Sequence, residues 1–301
     1  MTAKIPVERT ITGGYGFAFR NFFSVLGIVW FPYLALLLVS LGLVRLLVPD
    51  LPRMIAMQEL DMPALMSLTR LALLVGVLAF ITGCIVTVGL QRKALGLHSR
   101  PVWFYFSLGA PVWRMAGAFV LAGIAVFLIA LLTAAVGTGI WFAAGQLGGA
   151  AGIIRVLDIC AGVAFLIYIM VRLLFFLPAV VVAEGSIGLE RAWILGGHNF
   201  WRILIVTIAV FVPVAVVFHI LSLALFGSMA DLRMGADVSA QETLRALMQN
   251  FAAASPAVLL FQLIERIVLL GLTNGAVAYA YRAASGTDPA GTLPATVAPA
   301  A

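Results

Sequence analysis

The chain has 301 residues, of which 63% are hydrophobic and only 10% charged, with mean hydropathy +1.14 and formal net charge +6. Soluble domains carry about 25% charged residues, so this chain cannot cover itself for water, and a single soluble core is excluded. The basic excess does not argue for nucleic acid, because basic cytoplasmic loops of a membrane protein give the same sign.

Residues 1–21 carry Lys4, Arg9 and Arg20 and read as a cytoplasmic N-terminal segment. The apolar run Phe22–Leu47 is too long for the h-region of a secretory signal, and no small-x-small site follows it, so it is expected to be a retained first span. Five further runs, 71–90, 115–143, 156–183, 203–227 and 257–281, reach or exceed the ~20 residues that cross ~30 Å of hydrocarbon. They are continuous and do not alternate with period two, which predicts helices and not a barrel. The expected fold is all-α, a polytopic bundle of six spans over 22–282, arranged as three helical hairpins. The Pro/Ala/Thr-rich tail 283–301 is expected to be disordered.

With the N-terminus inside, Lys4, Arg9, Arg20, Arg92, Lys93, Arg100, Arg114, Arg191, Arg202 and Arg282 fall on the inner side, and Arg53, Arg70, Arg155, Arg233 and Arg245 on the outer. That asymmetry predicts a multi-pass protein of the bacterial inner membrane with both termini cytoplasmic. Cys84 and Cys160 lie inside apolar runs and read as small buried residues rather than a disulfide or metal site.

The connections carry their own signals. Asp61 and Pro63 resemble an N-cap and first turn, so the second helix is expected to start beyond the apolar run. Ser239-Ala-Gln-Glu242 has the form of a capping box, followed by Leu244, Leu247, Met248 and Phe251 at helical spacing, which predicts a short outer amphipathic helix. Gly145, Gly148, Gly149 and Gly152 suggest a tight outer turn, and Gly271 with Gly275 a close helix contact. Asp158 is expected to pair with Arg155. Collars precede the odd spans, as Arg20-Asn21-Phe22-Phe23, Val112-Trp113-Arg114 and Asn199-Phe200-Trp201-Arg202. They fit either a parallel hairpin repeat or the aromatic-basic belt that any such span wants.

No catalytic constellation is legible. Lys93, six residues, then Arg100-Pro101 opens the motif of membrane phosphatidate phosphatases, but the Ser-Gly-His and later Ser-Arg…His segments are missing, and with them the nucleophilic histidine. There is no His-Glu-x-x-His, and Ser186 is not in Gly-x-Ser-x-Gly. His98, His198 and His219 are isolated. The expectation is a non-enzymatic protein without metal or cofactor.

The strongest physical signal is charge within spans. Arg172, Glu265 and Arg266 sit within a few residues of span centres, where an unpaired charge costs about 2.5–3.5 kcal/mol on insertion scales. Adjacent Glu265 and Arg266 cannot face each other well. Gln262, Arg266 and Thr273 share one helical face with Glu265 at its edge, and His219 lies at the depth of Glu265. An intramembrane cluster of Arg172, His219, Gln262, Glu265 and Arg266 is expected, with Pro213 the only mid-span proline near it. It reads either as a proton- or substrate-binding site or as a salt-bridged clasp between spans four to six.

The inner connection around residues 184–202 presents Glu184, Glu190, Arg191, His198, Trp201 and Arg202. Leu189, Ala192, Trp193 and Phe200 fall on one helical face there, which predicts an interfacial helix able to meet anionic lipid or a cytoplasmic partner.

The stretch Leu177-Pro-Ala-Val-Val-Val-Ala-Glu184-Gly, with Ala192-Trp193 and Gly-Gly-His-Asn-Phe-Trp-Arg-Ile downstream, resembles a bacterial family of six-span proteins. This is the membrane domain that precedes some glycerophosphodiester phosphodiesterases, with related stand-alone proteins of unknown function. The resemblance implies the six-span architecture. It carries over no catalytic residue, because the soluble catalytic barrel has no counterpart here. The expected function is a scaffold or lipid-handling module whose partners are membrane lipid and a protein or second copy. The alternative is a small-molecule or proton-coupled transporter using the polar cluster.

Overall fold

The computed structural model describes residues 4–48, 62–98, 103–145, 151–226 and 256–286. The described residues are all-α. In chain order the helices are α1 Val7–Arg20, α2 Phe22–Leu47, α3 Met62–Ala94, α4 Ala110–Gly145, α5 Ala151–Leu174, α6 Leu177–Glu184, α7 Leu189–Gly197, α8 Phe200–Phe226 and α9 Pro256–Ser285. Among the described residues six stretches are long and apolar enough to cross a membrane, with windows of mean hydropathy 1.4 to 2.8. The protein is a multi-pass membrane protein. The outer amphipathic helix expected near Ser239–Phe251, Asp61 as a cap, Gly148 and Gly149, and the tail beyond residue 286 lie outside the described residues.

Contacts between chain segments gather the helix ends at one face, called here the near face. Arg282 of α9 donates to the Ala94 carbonyl at the end of α3 (2.9 Å), and Tyr281 donates to Glu184 at the end of α6 (3.0 Å). At the same face Ile5 is pinned from both sides of its backbone. Its N–H donates to Asn199 Oδ1 (3.1 Å) and its carbonyl accepts from Arg202 (2.7 Å). The Ile5 side chain is fully buried among Leu173, Phe176 and Ile203.

The segment 7–20 is a helix, which the reading of 1–21 as a plain cytoplasmic segment did not anticipate. Its buried positions Thr10, Gly14, Phe17 and Ala18 follow the helical period. Small residues let its backbone approach α9 in antiparallel sense. A Cβ on Gly13 would meet the Tyr279 ring (2.8 Å), one on Gly275 would meet Phe17 (3.0 Å), and one on Gly271 would meet Ala18 (3.3 Å). The Gly271/Gly275 spacing thus finds its partner in α1. Gly275→Leu is expected to lower stability by about 1–3 kcal/mol through overpacking, read as a fall in thermal unfolding temperature in detergent. Gly123→Leu in α4, where nothing approaches within 4 Å, serves as the control. Equal effects would show that the α1–α9 contact is not what holds this face.

Two bends share one local design. At Asn21 the helix kinks from α1 into α2, and at Asn199 the chain turns from α7 into α8. Each side-chain amide donates to the carbonyl four residues back, Asn21 to Phe17 (3.3 Å) and Asn199 to Leu195 (3.4 Å). Each backbone carbonyl starts the next helix by accepting from Val25 and Ile203 respectively. At Asn199 the side chain satisfies a carbonyl the bend would orphan, because the Asn199 N–H turns to Gly196 (3.2 Å); at Asn21 it adds a second donor to Phe17, which also accepts the Asn21 N–H (3.1 Å).

The fourth apolar run, expected as one span over 156–183, is interrupted. It breaks at Phe175-Phe176 and restarts as α6. Pro178 has no N–H to give the Leu174 carbonyl. A straight helix over Ala151–Glu184 would be about 51 Å long at ~1.5 Å per residue, well beyond the ~30 Å of hydrocarbon. The chain therefore lays its last turns against the near face.

The packed interior occupies the near half of the bundle. Buried side chains include Val25, Ile28 and Val29 of α2, Cys84, Val86, Val88 and Leu90 of α3, Met115 and Ala118 of α4, Val206 and Val210 of α8, and Ile267, Leu272, Val277, Ala280 and Ala284 of α9. Farther along the same helices, Leu38, Leu73, Phe127, Leu132, Val217 and Leu260 are exposed. Such apolar faces are stable only against acyl chains or other apolar surface.

Candidate functional site

Two regions of the bundle concentrate polar groups. The first is the near-face assembly of α5, α6 and α7. Arg172 lies in the last turn of α5. It therefore stands beside the near-face helices, because α5 ends two residues later. Its guanidinium stacks on Trp193 (3.9 Å to the ring centre), donates to Tyr168 Oη (2.6 Å) and reaches the Trp193 carbonyl (3.4 Å). This corrects its place in the expected cluster: Arg172 clasps α5 to α7 and does not join His219, Glu265 and Arg266. The two helices meet this closely because of Gly196 and Gly197. A Cβ on Gly196 would lie 2.7 Å from the Arg172 carbonyl oxygen, and one on Gly197 would run into the guanidinium itself.

The expected interfacial helix is α7. Ala192 and Leu195 are buried, Leu189 and Trp193 half-buried, and Glu190, Ile194, His198 and Trp201 exposed. Glu184 accepts from Arg191 (3.2 Å) and from Tyr281 (3.0 Å), so it ties α6 to both α7 and α9. Of the connection's predicted residues, Glu184, Arg191 and Arg202 have structural partners.

The second region lies deeper, on the α9 face turned toward α2 and α8. Glu265 is about 25 Å of helix axis from Arg282 at ~1.5 Å per residue. It sits on the shared wall of two open grooves. One, about 510 Å³, runs between α2 and α9 and is lined by Tyr33, Gln262, Glu265, Arg266, Leu269 and Leu270. The other, about 480 Å³, runs between α8 and α9 and holds His219 and Ser222 opposite Glu265. Gln262 and Arg266 are exposed, Glu265 half-buried. Arg266 stands 5.7 Å from the Tyr33 ring centre. Among the described residues neither Glu265, Arg266 nor His219 forms an ion pair, so the expected salt-bridged clasp is not built here. Of the five expected cluster residues, Gln262, Glu265 and Arg266 line the α2–α9 groove, His219 and Glu265 line the α8–α9 groove, and Arg172 lines neither.

Sequence reasoning missed Tyr33 and its neighbour Pro32, which lies inside α2. Pro213 is therefore not alone near the site. Each proline withholds a helical N–H from the carbonyl four residues earlier. For Pro213 that carbonyl is Ala209, and Tyr15 of α1 donates to it (3.4 Å). Asp158 forms no ion pair among the described residues; it lies against Gly137 of α4, and Arg155 stacks over Trp141 (5.5 Å). No group of three metal-ligating side chains occurs among the described residues.

No protein-family model, curated protein or solved structure matches this chain.

Proposed function

We propose that this protein is a non-catalytic lipid-handling module that takes an amphiphile sideways from the bilayer into the grooves beside Glu265. The observation that carries this reading is a carboxylate within the last candidate span, without an ion pair among the described residues, on the wall of two open grooves. A charge there costs a few kcal/mol unless something answers it. The exposed apolar faces of Leu34, Leu38, Leu260 and Ile264 flank the same region and suit acyl chains. In this proposal both termini face the cytoplasm, as the basic residues argue. It also places the chain beside the membrane domains of glycerophosphodiester phosphodiesterases, whose resemblance covers the stretch where Trp193, Gly196, Gly197 and Asn199 have defined packing roles.

The test is to purify the full chain in a mild detergent and quantify the lipid it retains by mass spectrometry. Wild-type protein is expected to keep near-stoichiometric lipid. Glu265→Gln is expected to keep about tenfold less, the worth of one charge-assisted hydrogen bond. Wild-type protein that emerges lipid-free would sink the reading.

Transport is the second reading, favoured by Pro32 and Pro213, which interrupt the hydrogen-bonding of the two helices facing Glu265. It requires that labelled lipid cross between leaflets of reconstituted vesicles faster than in empty ones.

A further inference from the structure

We infer that the ligand of the α2–α9 groove is a zwitterion bearing a primary ammonium and a phosphate, as an ethanolamine phospholipid does. This rests on the lipid-handling reading and adds the headgroup. The groove holds one carboxylate and one guanidinium, Glu265 and Arg266, on adjacent residues of a helix. Adjacent positions point about 100° apart, and the two groups form no ion pair with each other.

A single-charge ligand answers only half of this site. An anionic headgroup would engage Arg266 but bring a second negative charge to Glu265. A purely cationic amphiphile would do the reverse. A zwitterion neutralises both at once, with its ammonium on Glu265 and its phosphate on Arg266. Gln262 and the Tyr33 hydroxyl line the same space and can donate to further phosphate oxygens. A primary ammonium is specified over a quaternary one because a carboxylate is best satisfied by N–H donors, which a trimethylated nitrogen lacks.

The same chemistry could arrive as a membrane lipid or as a free headgroup. Leu269 and Leu270 on the groove wall, with exposed Leu34, Leu37 and Leu260 beyond it, offer surface that only acyl chains would use.

The test places the full chain in nanodiscs of equimolar phosphatidylethanolamine, phosphatidylglycerol and phosphatidylcholine, then releases it into detergent and measures the lipid that stays bound. Wild-type protein is expected to enrich phosphatidylethanolamine about tenfold over both others, the size of one charge-assisted hydrogen bond. Glu265→Gln should erase the preference over phosphatidylglycerol, and Arg266→Gln should lower total retention. Adding glycerophosphoethanolamine separates the sources: retained lipid supports the membrane lipid, and displaced lipid supports the free headgroup. Retention with no headgroup preference, or with phosphatidylglycerol favoured, overturns this inference and leaves the lipid-handling reading standing. No retention of any lipid overturns both. Should either variant fail to purify as a monodisperse species, the wild-type preference alone decides.

Discussion

Gly196→Ala is expected to destabilise the near face by about 3 kcal/mol, the upper part of the overpacking range, and Gly196→Leu to abolish recovery of folded protein. The reason is the identity of the obstructing atom. The added Cβ would sit 2.7 Å from the Arg172 carbonyl oxygen and 3.0 Å from its Cα. Backbone cannot rotate aside as a side chain can, so α7 must shift bodily away from α5. That shift would also separate the Arg172 guanidinium from Trp193, now 3.9 Å from the ring centre, and strain the turn at Asn199 that holds Ile5. Against this, the alanine would gain roughly 1 kcal/mol of helix propensity over glycine, which is too little to reverse the sign. The measurement is thermal unfolding of purified protein followed by tryptophan fluorescence. Gly117→Ala and Gly139→Ala are controls, since nothing approaches either position within 4 Å. A Gly196→Ala protein as stable as its controls would mean that the α5–α7 contact is looser than described.

The spans were legible because oil imposes a simple rule. A run of about 20 apolar residues has few alternatives to a helix, and Phe22–Leu47 is found with the expected ends. What hydropathy could not see was where helices lie against the near face. Residues 7–20 are too polar on average for a hydropathy window to register, although Val7, Ile11, Tyr15 and Ala18 recur at helical spacing and mark an amphipathic helix. The break at Phe175-Phe176 was hidden for the opposite reason: both sides of it are apolar, and only Pro178 marks it. At Arg172 the apolar run misleads about position, because the centre of an apolar run need not be the centre of a helix. Once the run divides into α5 and α6, Arg172 belongs to a helix end.

At the grooves, the face relation among Gln262, Arg266 and Glu265 follows from helical period alone and is found. Tyr33 was not foreseeable in that way, because its approach depends on how α2 crosses α9. The pairing of charges was also beyond the sequence. Period tells which residues share a face, whereas an ion pair needs two helices brought within 4 Å at matched rotation.

The contact of Gln91 with Asn274 offers the sharpest test of how dry the packed half is. Both side chains are buried, and Gln91 Nε2 donates to Asn274 Oδ1 (3.0 Å), joining α3 to α9. Asn274 Nδ2 donates within its own helix to the Leu270 carbonyl (2.8 Å), and Gln91 Oε1 has no partner among the described residues. Interhelical hydrogen bonds in membrane proteins are modest, about 0.6–2 kcal/mol. Losing one partner alone adds the desolvation of the group left behind, about 1–3 kcal/mol. Gln91→Leu strands the Asn274 oxygen, whereas Asn274→Leu leaves Gln91 Oε1 unpartnered as before and its Nε2 with only the long contact to the backbone carbonyl of residue 274 (3.5 Å), so the second is expected to be the more damaging. The double substitution removes both polar groups and is expected to be less destabilised than the sum of the singles by about 1–3 kcal/mol. Unfolding midpoints of the four proteins close the cycle. Additive effects would mean that water reaches this contact, and the near half of the bundle would then be a hydrated vestibule instead of a sealed base beneath the grooves.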